Sequence, residues 1–194
     1  MVSQRHNPTT TQVISAGWGY PERAFVEDGS FTDATVSGAE QEYGGYGFNL
    51  PFGAKVNSVK VLVKCYSTSP SYDILKVKVW DGVNWYEKKI DPYTVPPIPS
   101  TPTLITFDFT GVTDWTAGKV NTIRTRILHS FYTYASPSNF VDWIGVEVDY
   151  TTVEEVEEQA GEQIATFMRE NWLPLSVLGV ILAIVIAIIL GVWR

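Results

Sequence analysis

Few side chains in this chain are grouped as chemistry requires. Its two histidines, His6 and His129, lie far apart, and its single cysteine, Cys65, excludes an internal disulfide. No metal-finger spacing, phosphate-binding loop, Gly-x-Ser-x-Gly elbow or dinucleotide fingerprint occurs. The densest set of hard oxygen ligands is EDGSFTD, with Glu27, Asp28, Ser30 and Asp33. Calcium takes about six to eight oxygens, more than the side chains this loop supplies. Asp28 and Asp33 are therefore weak metal candidates, and a surface turn is the expectation. Trp18, Tyr20, Trp80, Trp85 and Tyr86 could stack on sugars. The competing reading is packing in a core or on a sheet face, which aromatic side chains serve equally well. No catalytic set emerges, so neither an enzyme nor a cofactor is expected.

The elements that must carry these residues are strands. In VNSVKVLVKCY, Val59, Val61, Val63 and Cys65 alternate with Lys60, Leu62 and Lys64. In YDILKVKVW, Leu75, Val77 and Val79 alternate with Lys76, Lys78 and Trp80. Ile123 and Ile127 oppose Arg124 and Arg126, and Ile144, Val146, Val148 and Tyr150 oppose Gly145, Glu147 and Asp149. A period of two predicts half-buried antiparallel sheet. Asp81-Gly82, between two such runs, predicts a hairpin. DPYTVPPIPSTPT, residues 91–103, predicts a stiff extended connection or a projecting loop. Helical periodicity is absent before residue 152. Several short strands separated by turn signals imply an all-β, antiparallel sandwich of jelly-roll or immunoglobulin type.

Four segments carry a resemblance: WGYPERAFVEDGSFTDAT, YGFNLPFGAKVNSVKVLV, DWTAGKVNTIRTRI and FVDWIGVEVDYT. In that order they resemble a jelly-roll module recurrent in phage and viral structural proteins and some surface proteins. The resemblance covers residues 16–152 and implies a fold without an active site, since its motif residues have structural roles. Pro51 and Gly53 turn the chain, Asn121 caps a turn, and Val146 and Val148 fill a core.

The rest of the chain divides around that module. Residues 1–15 read as an extended N-terminal arm. Residues 153–171 read as an acidic amphipathic helix, or stalk, opening with a Thr152/Glu155 capping box. Val153, Val156, Ala160, Ile164 and Phe167 form its apolar stripe. Residues 172–194 read as a C-terminal transmembrane helix. Its apolar run spans about 30 Å, the thickness of a bilayer core. Trp172 and Trp193 fall at the expected interfaces. Gly179, Ala183, Ala187 and Gly191 form a small-residue stripe suited to close helix packing.

Net charge is −7, concentrated in the stalk, which argues against a nucleic-acid surface. MVSQRHNPTTTQV has no apolar segment after Arg5, so no secretory signal is read there. Tail-first insertion would keep residues 1–170 on the cytosolic side of a host or virion membrane. The resulting expectation is a tail-anchored virion structural protein, its aliphatic anchor suiting an archaeal virus. Its partners would be the lipid bilayer, capsid or other coat proteins, and copies of itself. The alternative is a cellular surface-anchored β-sandwich that binds glycan or a surface-layer partner.

Overall fold

The computed structural model describes residues 1–132, 136–152, 158, 161–167 and 169–170. The chain divides into two units, Met1–Thr152 and Val153–Arg194. The first is a sandwich of two antiparallel β-sheets. Its strands are β1 (Val2–His6), β2 (Thr10–Ser15), β3 (Trp18–Gly19), β4 (Thr32–Ala34), β5 (Ala39–Gly44) and β6 (Lys55–Ser67). They continue with β7 (Asp73–Trp80), β8 (Trp85–Ile90), β9 (Thr103–Asp108), β10 (Arg124–Phe131) and β11 (Asn139–Thr151). One sheet runs β3-β4-β11-β6-β9, with β1 also paired to β11; the other runs β2-β5-β10-β7-β8.

The alternation read from the sequence decides which faces meet. Val59, Val61, Val63 and Cys65 of β6 and Val146 and Val148 of β11 are fully buried, as are Leu75, Val77 and Val79 of β7 and Ile127 of β10. Burial pushes the Cys65 thiol up to about 12, with the Asp73 charge adding to the rise, as expected of a small core residue. The core also holds a polar cluster. His129 Nε2 lies 3.0 Å from Asp73 Oδ1, and Asn139 donates from Nδ2 to Asp73 Oδ2 at 3.0 Å. Each of these groups is fully buried, so each requires the others.

Several expectations meet a different structure. Residues 1–15, read as an arm, are paired in both sheets: Val2–His6 against Tyr150–Val146 of β11, and β2 against β5. Pairing satisfies their backbone groups, and Trp143 donates from its indole to Asn7 Oδ1 at 3.0 Å between the two strands. WTAGKVN is a short helix, α1 (Ala117–Asn121), capped by Thr116, whose hydroxyl accepts from the Lys119 N–H at 3.3 Å. Asn121, the last residue of α1, ties the helix to the segment before β6, because its amide both accepts from the Leu50 N–H (2.8 Å) and donates to the Leu50 carbonyl (3.2 Å). The proline-rich connection is pinned by Ile98, buried in the core, and by the Ser67 N–H donating to the Pro99 carbonyl.

In the second unit, the described residues 158, 161–167 and 169–170 are helical, with Ile164 and Phe167 exposed. Val153, Val156 and Ala160 of the stalk stripe lie outside the described residues. So does the whole expected anchor, including Trp172, Trp193, Gly179, Ala183, Ala187 and Gly191. Among the described residues, no helix is long and apolar enough to cross a membrane.

One outward-facing contact is unusually tight. Trp143 folds its indole over Gly145, leaving no room for a Cβ there. A Gly145→Val substitution is expected to displace the indole and lower unfolding free energy by about 1–3 kcal/mol. Urea unfolding followed by tryptophan fluorescence measures this, and an unchanged midpoint would show that Trp143 moves aside freely.

Candidate functional site: the outer face of the five-stranded sheet

The outward half of the same alternation builds a surface on β2-β5-β10-β7-β8. Trp80 pairs with Trp85 across the β7–β8 hairpin and with Arg124 of β10. Gly44 lies beyond Arg124 on β5, where an added Cβ would approach Arg124 Cγ at 3.6 Å, and Gly44 pairs with Thr10 of β2. One row therefore crosses five strands as Trp85, Trp80, Arg124, Gly44 and Thr10. At ~4.8 Å per strand it is about 19 Å long, the scale of a short oligosaccharide. The adjacent row is charged: Glu87, Lys78, Arg126, Glu42 and Gln12, each registered with the next.

The two indoles are half-buried, with ring centroids 5.4 Å apart and planes tilted by 42°. The Arg124 guanidinium lies 5.1 Å from the Trp80 ring centre and 5.6 Å from that of Trp85. Arg126 lies 4.0 Å from the Trp85 ring centre. Such contacts hold the indoles in place from one side. Glu42 orients both arginines: Oε1 accepts from Arg124 at 2.8 Å, and Oε2 accepts from Arg126 Nε and Nη2, both at 2.8 Å. At the β2 end, Thr10, Thr11, Gln12, Glu42, Gly44, Gly45 and Arg124 line a cleft of about 210 Å³, in which the Glu42 carboxylate is held by the two arginines. Gly44 matters here because a side chain would fill the floor, 3.2 Å from the Thr10 hydroxyl.

Asp81 sets the tryptophan pair. It begins the four-residue turn Asp81–Asn84, and its Oδ1 accepts from the Val83 and Asn84 N–H groups at 2.9 and 2.7 Å. Its Oδ2 lies 3.0 Å from Lys119 Nζ of α1. Gly82 takes the positive φ, 96°, that this turn needs. Burial opposes ionisation of Asp81. The Asn84 N–H, the Lys119 ammonium and the Val83 N–H outweigh it and hold the carboxyl well below the usual carboxylate range.

The structure sorts the sequence candidates. Trp80 and Trp85 come together on the outer face. Trp18 is buried, its indole N–H donating to the Ala39 carbonyl at 3.0 Å, and Tyr86 packs against the core. Tyr20 stands apart, exposed, with Arg23 over its ring at 4.2 Å. Asp28 closes a local turn by accepting from the Ser30 N–H, and Asp33 pairs with Gly19 and Phe140 within β4. Among the described residues, no three His, Cys, Asp or Glu side chains are grouped to hold a metal. The sequence reading placed Arg124 and Arg126 on a polar face but missed Glu40, Glu42 and Gly44. Their signal was AEQEYG, an acidic alternation matching the basic one of RTR.

No family model and no curated protein matches the chain. Among solved structures it is similar to a truncated AlyQ with CBM32 and alginate lyase domains, at 14% identity and a TM-score of 0.47, over 78% of this chain and 34% of that one. The chain thus spans about a third of that structure. It is similar to the CBM36-1 domain of a multidomain xylanase from the hindgut metagenome of Trinervitermes trinervoides, at 8% identity and a TM-score of 0.43, covering 78% of this chain and all of that domain. It is also similar to CBM32 of AlyQ in complex with 4,5-unsaturated mannuronic acid, at 16% identity and a TM-score of 0.42, over 75% and 98% of the two chains.

These structures carry carbohydrate-binding modules, not phage or viral structural proteins, which corrects the resemblance drawn from the four motifs. Those motifs specify turns and core positions that any two-sheet sandwich needs, so they do not single out a viral lineage. The virion protein goes with the resemblance, as do the bilayer, the capsid or coat proteins and like copies as its partners.

The Asp81 turn has a pH signature. Its carboxyl ionises below the unfolded value of about 3.9, so its stabilisation is complete above about pH 4 and is lost as pH falls through the folded-state value. The thermal midpoint should therefore drop on acidification from about pH 5 toward pH 2. Asp81→Asn should lower the midpoint at neutral pH and make that acid slope shallower. An acid profile parallel to that of the unsubstituted chain would show that the turn does not draw on this charge.

Proposed function

We propose that Met1–Thr152 is a carbohydrate-binding module without catalytic chemistry, and that its ligand lies along the Trp85–Trp80–Arg124–Thr10 row. The strand sequence passes between the two sheets at most connections, which fits jelly-roll wiring. The observation that carries the reading is the half-buried, registered pair of indoles on the outer sheet face, beside charged and hydroxyl groups. A sugar ring presents an apolar C–H face and a rim of hydroxyls. Indoles pack on the first, and Arg, Glu and Thr side chains hydrogen-bond the second. The indoles and arginines are already braced by cation–π contacts and by Glu42, so little side-chain freedom is lost when a ligand docks.

Affinity electrophoresis through gels containing a panel of plant and algal polysaccharides tests this. At least one polymer should retard the chain, and Trp80→Ala or Trp85→Ala should weaken that retention about tenfold, equivalent to ~1.4 kcal/mol. Retention unchanged in both variants would place binding elsewhere, and no retention by any polymer would remove the proposal.

A further inference from the structure

The ion pairs on this face form a single alternating chain. In order it runs Arg124, Glu42, Arg126, Glu40, Lys78, Glu87, Lys76. The links are 2.8 Å from Arg124 to Glu42, 2.8 Å from Glu42 to Arg126 and 3.7 Å from Arg126 to Glu40. They continue at 2.8 Å from Glu40 to Lys78, 3.8 Å from Lys78 to Glu87 and 3.0 Å from Glu87 to Lys76. Each carboxylate bridges two cations, and the chain begins and ends on a cation. Four positive charges therefore face three negative ones, on a molecule whose net charge is −7.

The imbalance is not spread evenly. Arg126 and Lys78 each sit between two carboxylates. Arg124 has one, Glu42, and its side chain is the most exposed of the four cations at 41%. It stands beside the indoles and lines the cleft whose floor is Gly44. Its guanidinium can make two parallel N–H···O bonds to a planar carboxylate, a geometry an ammonium cannot reproduce.

We propose that the ligand is an acidic polysaccharide, and that Arg124 receives the carboxylate of a uronic acid residue while Trp80 and Trp85 pack on adjoining sugar rings. This rests on the binding role proposed for the same face. A carboxylate docked there completes the alternation at its Arg124 end. A neutral sugar leaves Arg124 with its single partner. Lys76, the other terminal cation, lies two rows from the indoles and carries no fork, so selectivity belongs to Arg124.

Isothermal titration of the full chain with polygalacturonate, and with the same polymer after its carboxyl groups are reduced to alcohols, separates the two levels of the claim. The carboxylated polymer should bind at least tenfold more tightly, and the advantage should shrink as salt is raised. Arg124→Gln should remove the advantage while leaving weak binding of the reduced polymer that Trp80→Ala abolishes. Arg124→Lys should recover only part of it, since it restores charge without the fork. Equal, Trp80-dependent affinity for both polymers would overturn the acidic-ligand inference and leave the carbohydrate-binding role standing. A carboxylate preference that survives Arg124→Gln would overturn the assignment to Arg124. A sulfated galactan that binds as tightly as polygalacturonate would overturn the carboxylate in favour of general anion capture. Absence of binding to either polymer overturns the inference, and the neutral members of the electrophoresis panel then decide whether the binding role survives.

Discussion

The register of β10 between β5 and β7 is the constraint on which the outer face depends. Arg124, Arg126 and Leu128 point outward because Ile123, Thr125 and Ile127 point into the sandwich. A slip of one residue would put two guanidinium groups into the core and two isoleucines into water, a change no local contact could offset. Burial of the inner face thus aligns Trp80, Arg124 and Gly44 in one row and Lys78, Arg126 and Glu42 in the next. The outer face has no separate scaffold; it is the outward half of the pattern that makes the core.

Two devices at the edges of that pattern refine it. The Asp81 turn joins β7 to β8 so that Trp80 faces Trp85, and its ion pair with Lys119 ties the hairpin to α1 in the β9–β10 connection. Inside the sandwich, the Asp73–His129–Asn139 cluster links β7, β10 and β11 across the two sheets. Buried polar groups contribute little net stability when satisfied but are costly when mispaired. Asp73 Oδ1, His129 Nε2 and Asn139 Oδ1 are buried without a hydrogen bond, so the cluster adds little net stability to the sandwich.

Much of this architecture is legible in the sequence. The inward residues of β6, β7, β10 and β11 follow from alternation, and the Asp81-Gly82 hairpin follows from turn chemistry. The N-terminal strands were not legible, because VSQRH and TTQVIS are short, polar and only partly buried, and their pairing partners lie far along the chain or across a loop. The short helix α1 was hidden for a related reason: five residues are too few to show a 3.6-residue period. The viral resemblance misled because motifs made of turn glycines, prolines and core valines describe what a sandwich needs, whatever it binds.

The site divides along the same line. By itself the sequence determined that Trp80, Arg124 and Arg126 lie on polar strand faces, since a period of two is a local property of each strand. Only the tertiary structure decided that Glu42, 82 residues from Arg124 in sequence, orients both arginines. It alone decided that Trp80 and Trp85 face outward together while Trp18 is buried. Pairing between strands distant in sequence is set by the collective burial of the inner faces, and no short window of residues contains that information.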